Sequence, residues 1–134
     1  MYLARAKKRY QAFTLVELMI VVVVIAILAA VAIPSYQKSV VKGKRAAAQA
    51  QMLDIAGRQQ QYFLANREYA NKSALESSGY SPPADVAAVY EYDITPGSGT
   101  VPSFTIKFTG KGSQAADGEL TLNNEGVKTP LNKW

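Results

Sequence analysis

The 134 residues contain no cysteine and no histidine. The first absence excludes disulfides and thiolate nucleophiles, the second excludes imidazole general bases, and together they exclude the usual zinc sites. The folded part must therefore stand on packing and non-covalent contacts. Other chemistry is thin as well. The carboxylates are scattered; Glu91 and Asp93 are the closest pair on a predicted strand, where their alternation with apolar residues reads as a solvated face. The serines have no histidine to activate them. Glycines 97, 99, 110 and 112 fall in predicted turns without phosphate-loop spacing. Such a chain points away from an enzyme, and neither a cofactor nor a metal ligand set is expected.

Charge of one sign is scarce once it is located. The formal charge is +5, but Arg5, Lys7, Lys8 and Arg9 supply four of those positives. Beyond residue 12 the chain carries eleven basic and ten acidic side chains, so a broad basic field is not expected. The length suits one domain and not two.

What the sequence does have is one long apolar run. Residues 13–33 read FTLVELMIVVVVIAILAAVAI, with only Thr14 and Glu17 polar. As a helix this run is about 31 Å long, close to the hydrocarbon thickness of a bilayer. A core helix so apolar would need a larger partner surface than the remaining chain offers, so a membrane segment is the better reading. The basic stretch before it favours a cytoplasmic start. A second basic set, Lys38, Lys42, Lys44 and Arg45, follows it, so loop charge does not decide the orientation. A carboxylate at the centre of such a segment costs about 2.5–3.5 kcal/mol on insertion scales, and such groups usually have a partner. Glu17 either meets one or, nearer the helix edge, reaches the headgroups or stays protonated. A competing reading takes Ala30-Val31-Ala32 as the small-x-small site of a secretory signal peptide. The apolar run is longer than a usual signal core of about 7–15 residues, and that reading gives Glu17 no purpose.

The string Ala12-Phe13-Thr14-Leu15-Val16-Glu17-Leu18-Met19, with the aliphatic run and Ile33-Pro34-Ser35-Tyr36, resembles the N-terminal signature of type IV pilins. The resemblance implies cleavage by a prepilin peptidase between Ala12 and Phe13, N-methylation of Phe13, and a meeting of Glu17 with the new N-terminal amine of a neighbouring subunit. A carboxylate in an apolar bundle must be neutralised or paired, so this pairing would act as a register device. The residue before the cut is usually glycine in that family and is alanine here, which implies slower processing.

After Ile33 the helical pattern continues; Pro34 is expected to kink the helix rather than end it. Lys38, Lys42 and Arg45 fall on one stripe, suited to snorkelling or plain solvation. Leu53, Ala56, Gln60 and Phe63, with Met52 and Leu64 at the edge, trace an apolar stripe that something must cover. A connecting loop over about 66–88 holds Pro82-Pro83 and one short helix, with Ser73 and Glu76 as its capping box and Gly79 as its stop. Strands follow at Tyr90, Tyr92 and Ile94, at Phe104, Ile106 and Phe108, and at Leu120 and Leu122; Asn123–Gly126 then turns the chain toward Val127. The fold class is α+β, a long helix packed on a small antiparallel sheet of three to four strands. The expected division is 1–12 leader, 13–34 membrane and assembly half of the helix, 35–65 amphipathic half, and 66–134 head.

The segments Arg58–Ala70 and Gly118–Trp134 also resemble minor pilins of the competence, DNA-receptor type. Members generally carry a cysteine pair closing the C-terminal loop, one often just before a final tryptophan; Lys133 holds that place here. DNA contact through Lys107, Lys111, Lys128 and Lys133, with tyrosines stacking on bases, is one expectation. The other is that Tyr62, Tyr90 and Tyr92 pack the core or filament contacts while the lysines only solubilise. The leading reading is a structural subunit, major or minor, of a type IV pilus. Its partners would be other pilin subunits, the prepilin peptidase, the inner membrane with the assembly machinery, and perhaps-absent DNA as a ligand to be tested. It would begin as an inner-membrane precursor, in a Gram-negative bacterium, and end in an extracellular filament. The alternatives are a DNA receptor for uptake, a pseudopilin of a type II secretion system, or a small secreted protein.

Overall fold

The computed structural model describes residues 12–134, so the leader assigned to residues 1–12 lies outside the described residues except for Ala12. A single α-helix, α1, covers Leu15–Asn66 and passes through Pro34 without ending there. The chain divides into two compact units between Lys38 and Ser39.

In the first unit the aliphatic residues of α1 have no cover. None of the described side chains up to Lys38 is buried. The best eighteen-residue window has a mean hydropathy of 3.1, long and apolar enough to cross a membrane.

The second unit is built around the rest of α1. Ala48, Met52, Ile55 and Gln59 are its buried residues, at spacings of four, three and four. This corrects the expected stripe: Leu53 is 52% and Leu64 75% exposed, Gln60 is exposed, and only Ala56 and Phe63 are partly covered. The polar Gln59 hides the true period. It is tolerated inside because its amide donates to the Ala70 carbonyl at 2.6 Å and accepts from the Ala70 N–H at 2.8 Å. A buried amide satisfied on both sides avoids the desolvation penalty that would otherwise expel it.

The sheet that covers this face contains β1 (Tyr90–Pro96), β2 (Phe104–Gly110), β3 (Glu119–Asn123) and β4 (Lys128–Thr129). They are antiparallel and lie in the order β1-β2-β3-β4. The register aligns Tyr92, Phe108 and Leu120 in one row across the strands, and Ile94, Ile106 and Leu122 in the next. All six side chains are buried, and the residues between them face away. Burying an apolar side chain of this size contributes about 1.5–3 kcal/mol, so the two rows are the main hold on the helix.

Between α1 and β1 lie α2 (Lys72–Ser77) and α3 (Ala84–Ala87). The expected capping box is corrected: Asn71, not Ser73, is the N-cap of α2, its side chain accepting from the Ala74 N–H at 2.8 Å. Glu76 is used elsewhere, accepting from the Tyr92 hydroxyl at 2.8 Å. Gly79 does end the helix, in the left-handed region at φ 98°. The short α3 was not expected; the Pro83 carbonyl starts it by accepting from the N–H groups of Val86 and Ala87. Between β2 and β3 the chain makes a 3-10 turn, Gly112–Asp117, in place of a tight hairpin. Gly110 permits this, because a Cβ there would stand 2.2 Å from the Gln114 carbonyl oxygen. The Asn123–Gly126 turn forms as expected, with the Asn123 side chain accepting from the N–H groups of Glu125 and Val127.

Candidate functional site

Two places carry the residues singled out by the sequence. At the start of α1, Phe13 is exposed and Thr14 is the residue just before the helix. Glu17 reaches back over one turn, its Oε2 accepting from the Thr14 N–H at 2.8 Å and the Thr14 hydroxyl at 2.9 Å. The Thr14 hydroxyl oxygen in turn accepts from the Glu17 N–H at 3.2 Å. This is a reciprocal capping box, and it satisfies two donors that the first turn of a helix leaves orphaned. The signal was present as Thr-x-x-Glu, but the apolar setting of Glu17 drew the reading toward a partner in another chain. The carboxylate is thus fixed in position, aimed at the start of the helix and one turn from Phe13.

The second place is a buried polar cluster in the head, centred on Asp117. Asp117 is 3% exposed, although it is a carboxylate. Its two oxygens accept from Arg45 Nε at 2.9 Å each, and Oδ1 also accepts from the other guanidinium nitrogen. The Tyr90 hydroxyl donates to Asp117 Oδ2 at 2.5 Å. Gln114 Nε2 donates both to the Tyr90 oxygen at 3.0 Å and to the Val41 carbonyl at 2.9 Å. Burial pushes the Asp117 carboxyl up, but the hydrogen bonds from Arg45 and Tyr90 and the Arg45 charge outweigh it and hold the group below its ordinary range. The same contact raises Arg45, and burial followed by the bond to Asp117 raises the Tyr90 hydroxyl. Arg45 is therefore not a plain snorkelling or solvated residue; it fastens the helix to the 3-10 turn.

Asp117 also holds the segment after β4. Its backbone carbonyl accepts from Lys133 Nζ, while the Lys133 carbonyl accepts from Gln49 Nε2 at 2.7 Å. Trp134 packs partly against the core, with the Lys128 ammonium 4.8 Å from its ring centroid. Lys133, standing where the resemblance places a cysteine, ties the segment down through a charge-assisted bond.

The four lysines considered for DNA stand on different elements and have different partners. Lys107 lies in β2 and meets Glu119 at 3.7 Å, Lys128 covers Trp134, and Lys133 is held at Asp117. Lys111 directly precedes the 3-10 turn and is exposed. Tyr90 and Tyr92 are buried in the core and Tyr62 is packed against it, so these rings are taken up by packing. A shallow depression of about 320 Å³ beside β1 is lined by Lys72, Lys107, Glu91 and Asp93 with Tyr92 and Thr109, two charges of each sign. Glu91 and Asp93 are exposed there, on the outer face of the sheet.

Comparison with known proteins gives two family matches. Residues 34–121 match the family described as type IV minor pilin ComP, DNA uptake sequence receptor. Residues 7–33 match the prokaryotic N-terminal methylation motif. The chain is also similar to the type IV major pilin protein PilA of Myxococcus xanthus (strain DK1622), at 37% identity over 71 residues. That alignment covers 53% of this chain and 32% of the relative, so the chain spans about a third of the length of that protein.

Proposed function

This chain belongs to the type IV minor pilin family, and on that premise we propose that it is a structural subunit of a type IV pilus, assembled through the apolar half of α1. The observation that carries this reading is the uncovered aliphatic surface of residues 15–33, followed directly by a folded head that matches the family over residues 34–121. An apolar helix with no cover in its own chain must be covered by lipid or by other copies. The precursor is held in the inner membrane of a Gram-negative bacterium, is cut by the prepilin peptidase between Ala12 and Phe13, is methylated at Phe13, and is then drawn into an extracellular filament. Alanine at position 12 slows the cut. The head match favours a pilin over a pseudopilin, whose N-terminal signature is the same.

Glu17 sets the register. Its carboxylate is already positioned by Thr14, so the amine at Phe13 of a neighbouring copy meets an acceptor that needs little reorganisation. A buried carboxylate without a cation is costly, and copies offset along the helix lose that pairing. The test is Glu17→Ala expressed as the sole subunit. Loss of filaments with a folded head is the expected result, and normal filaments would refute the register role.

A second reading, DNA recognition for uptake, is favoured by the description of the matching family alone. Its phosphate contacts would fall to the lysines at 107, 111, 128 and 133. Duplex DNA binding by the full chain in detergent, weakening as salt rises and weaker still in a Lys111→Gln variant, is what this reading expects. Binding unchanged by either would remove it.

A further inference from the structure

Three lysines gather where the chain comes into the head, and none of them has an acidic partner. Lys42 and Lys44 lie on α1 just after Ser39, and Lys111 lies at the start of the 3-10 turn. Two bonds hold that turn against this part of α1: Gln114 Nε2 donates to the Val41 carbonyl at 2.9 Å, and Lys44 Nζ donates to Ser113 Oγ at 3.3 Å. Lys111 is therefore brought beside residues 41–44. The nearby carboxylates are taken, Asp117 by Arg45 and Glu119 by Lys107. Among the described residues, no ion pair includes Lys42, Lys44 or Lys111.

The position of this cluster along the chain is unusual for its sign. Under the membrane reading, which this inference rests on, the head lies on the far side of the bilayer from the cytoplasm. Positive residues close to a span are depleted on that side and concentrated on the other. Lys42 and Lys44 follow Ile33 by nine and eleven residues, about 13 and 16 Å along a helix. The headgroup zone extends about 5–7 Å beyond the hydrocarbon on each face. Helical side chains lean toward the helix N-terminus, and lysine stems extend along apolar surface to place the ammonium at the headgroups.

We propose that Lys42, Lys44 and Lys111 form a docking surface for the phosphates of anionic phospholipids in the outer leaflet of the membrane that stores the precursor. The ammonium groups meet lipid phosphate through charge-assisted hydrogen bonds, and the three act together because the 3-10 turn is fastened to the helix. Each basic side chain near an anionic surface contributes about 1 kcal/mol, so removing one lowers the contact equilibrium about fivefold. Entry into a filament breaks these contacts, so the same lysines oppose extraction from an anionic bilayer.

The absence of cysteine makes the test clean. A single Ala116→Cys variant of the full chain, exposed at that site, takes an environment-sensitive label and is reconstituted in vesicles. Vesicles of phosphatidylcholine alone are compared with vesicles containing phosphatidylglycerol, each with lipid-borne quencher. The expected result is greater quenching in the anionic vesicles, reversed by salt, lost in a Lys42→Gln/Lys44→Gln/Lys111→Gln background and kept when the three become arginine. Equal quenching in both vesicles, or in the glutamine background, overturns the proposal. So does a label that ignores lipid charge and responds to added duplex DNA. Carbonate extraction separates the two levels: a chain stripped from the vesicles refutes the membrane reading and the lipid contact with it, whereas a retained chain with equal quenching refutes the lipid contact alone.

Discussion

Asp117→Asn removes one negative charge and changes the shape of the side chain hardly at all, which makes it a strict test of the buried cluster. In the native head the carboxylate accepts from Arg45 through both oxygens and from the Tyr90 hydroxyl at 2.5 Å. Asparagine keeps one acceptor, turns an N–H₂ toward donors, and leaves Arg45 without its counter-charge. Breaking a buried pair by removing one partner costs about 3–5 kcal/mol. The Arg45 side chain is 19% exposed and recovers some hydration, so the low end, about 3 kcal/mol, applies. For a unit the size of the head, each kcal/mol lowers the melting temperature by about 4–8 °C. The assay is thermal unfolding of the full chain in micelles, followed by the emission of Trp134, the sole tryptophan. The pH dependence supplies a second arm. Asp117 is held below its ordinary value of 3.8 in the folded state, so its stabilisation is present above that value and is lost as pH falls through the lower folded value. The native head therefore loses stability in that acid window, and Asp117→Asn flattens this limb. Equal melting temperatures at pH 7, or an unchanged acid limb in the variant, would refute the assignment of Asp117 as the charged centre of the cluster.

Gln59→Leu is expected to destabilise the head by about 1–3 kcal/mol despite being more apolar, because the Ala70 N–H and carbonyl lose their buried partner. Faster hydrogen exchange at Ala70 checks this, and an unchanged rate contradicts it. Gly110→Ala places a methyl group against the Gln114 carbonyl oxygen and forces the 3-10 turn off the helix, so loss of the Arg45–Asp117 pair, seen as loss of the acid limb, is the expected readout. The Glu17→Ala filament assay described above completes the set.

The sequence made the strands legible because Tyr90, Tyr92 and Ile94, and then Phe104, Ile106 and Phe108, alternate without interruption on one buried face. It made the long helix legible through sheer apolar length, and the Asn123–Gly126 turn through its chemistry. The helix face was read one position off because Gln59 is polar and buried, while Leu53 is apolar and exposed. A periodicity argument weighs side chains by type and has no access to a hydrogen bond with a residue eleven positions away. The same limit hid the Asp117 cluster, whose members come from α1, β1 and the 3-10 turn and share no motif. The Asn71 cap was missed because Ser73-x-x-Glu76 offered a more familiar pattern two residues later. At the start of α1, Thr14 and Glu17 stood in plain capping spacing, yet the local partner was overlooked in favour of a distant one.

The apolar half of α1 has a consequence for rotation. Leu15, Val16, Leu18, Met19, Ile20 and the valines that follow are exposed on every side of the helix, none less than 48%. A cylinder that is oily all round has no preferred azimuth: turning it about its long axis exchanges one aliphatic side chain for another at almost no change in free energy. Neither lipid nor a bundle of identical neighbours can tell its faces apart. The angular setting of this segment is therefore left to its one carboxylate, which marks a single direction on an otherwise uniform rod.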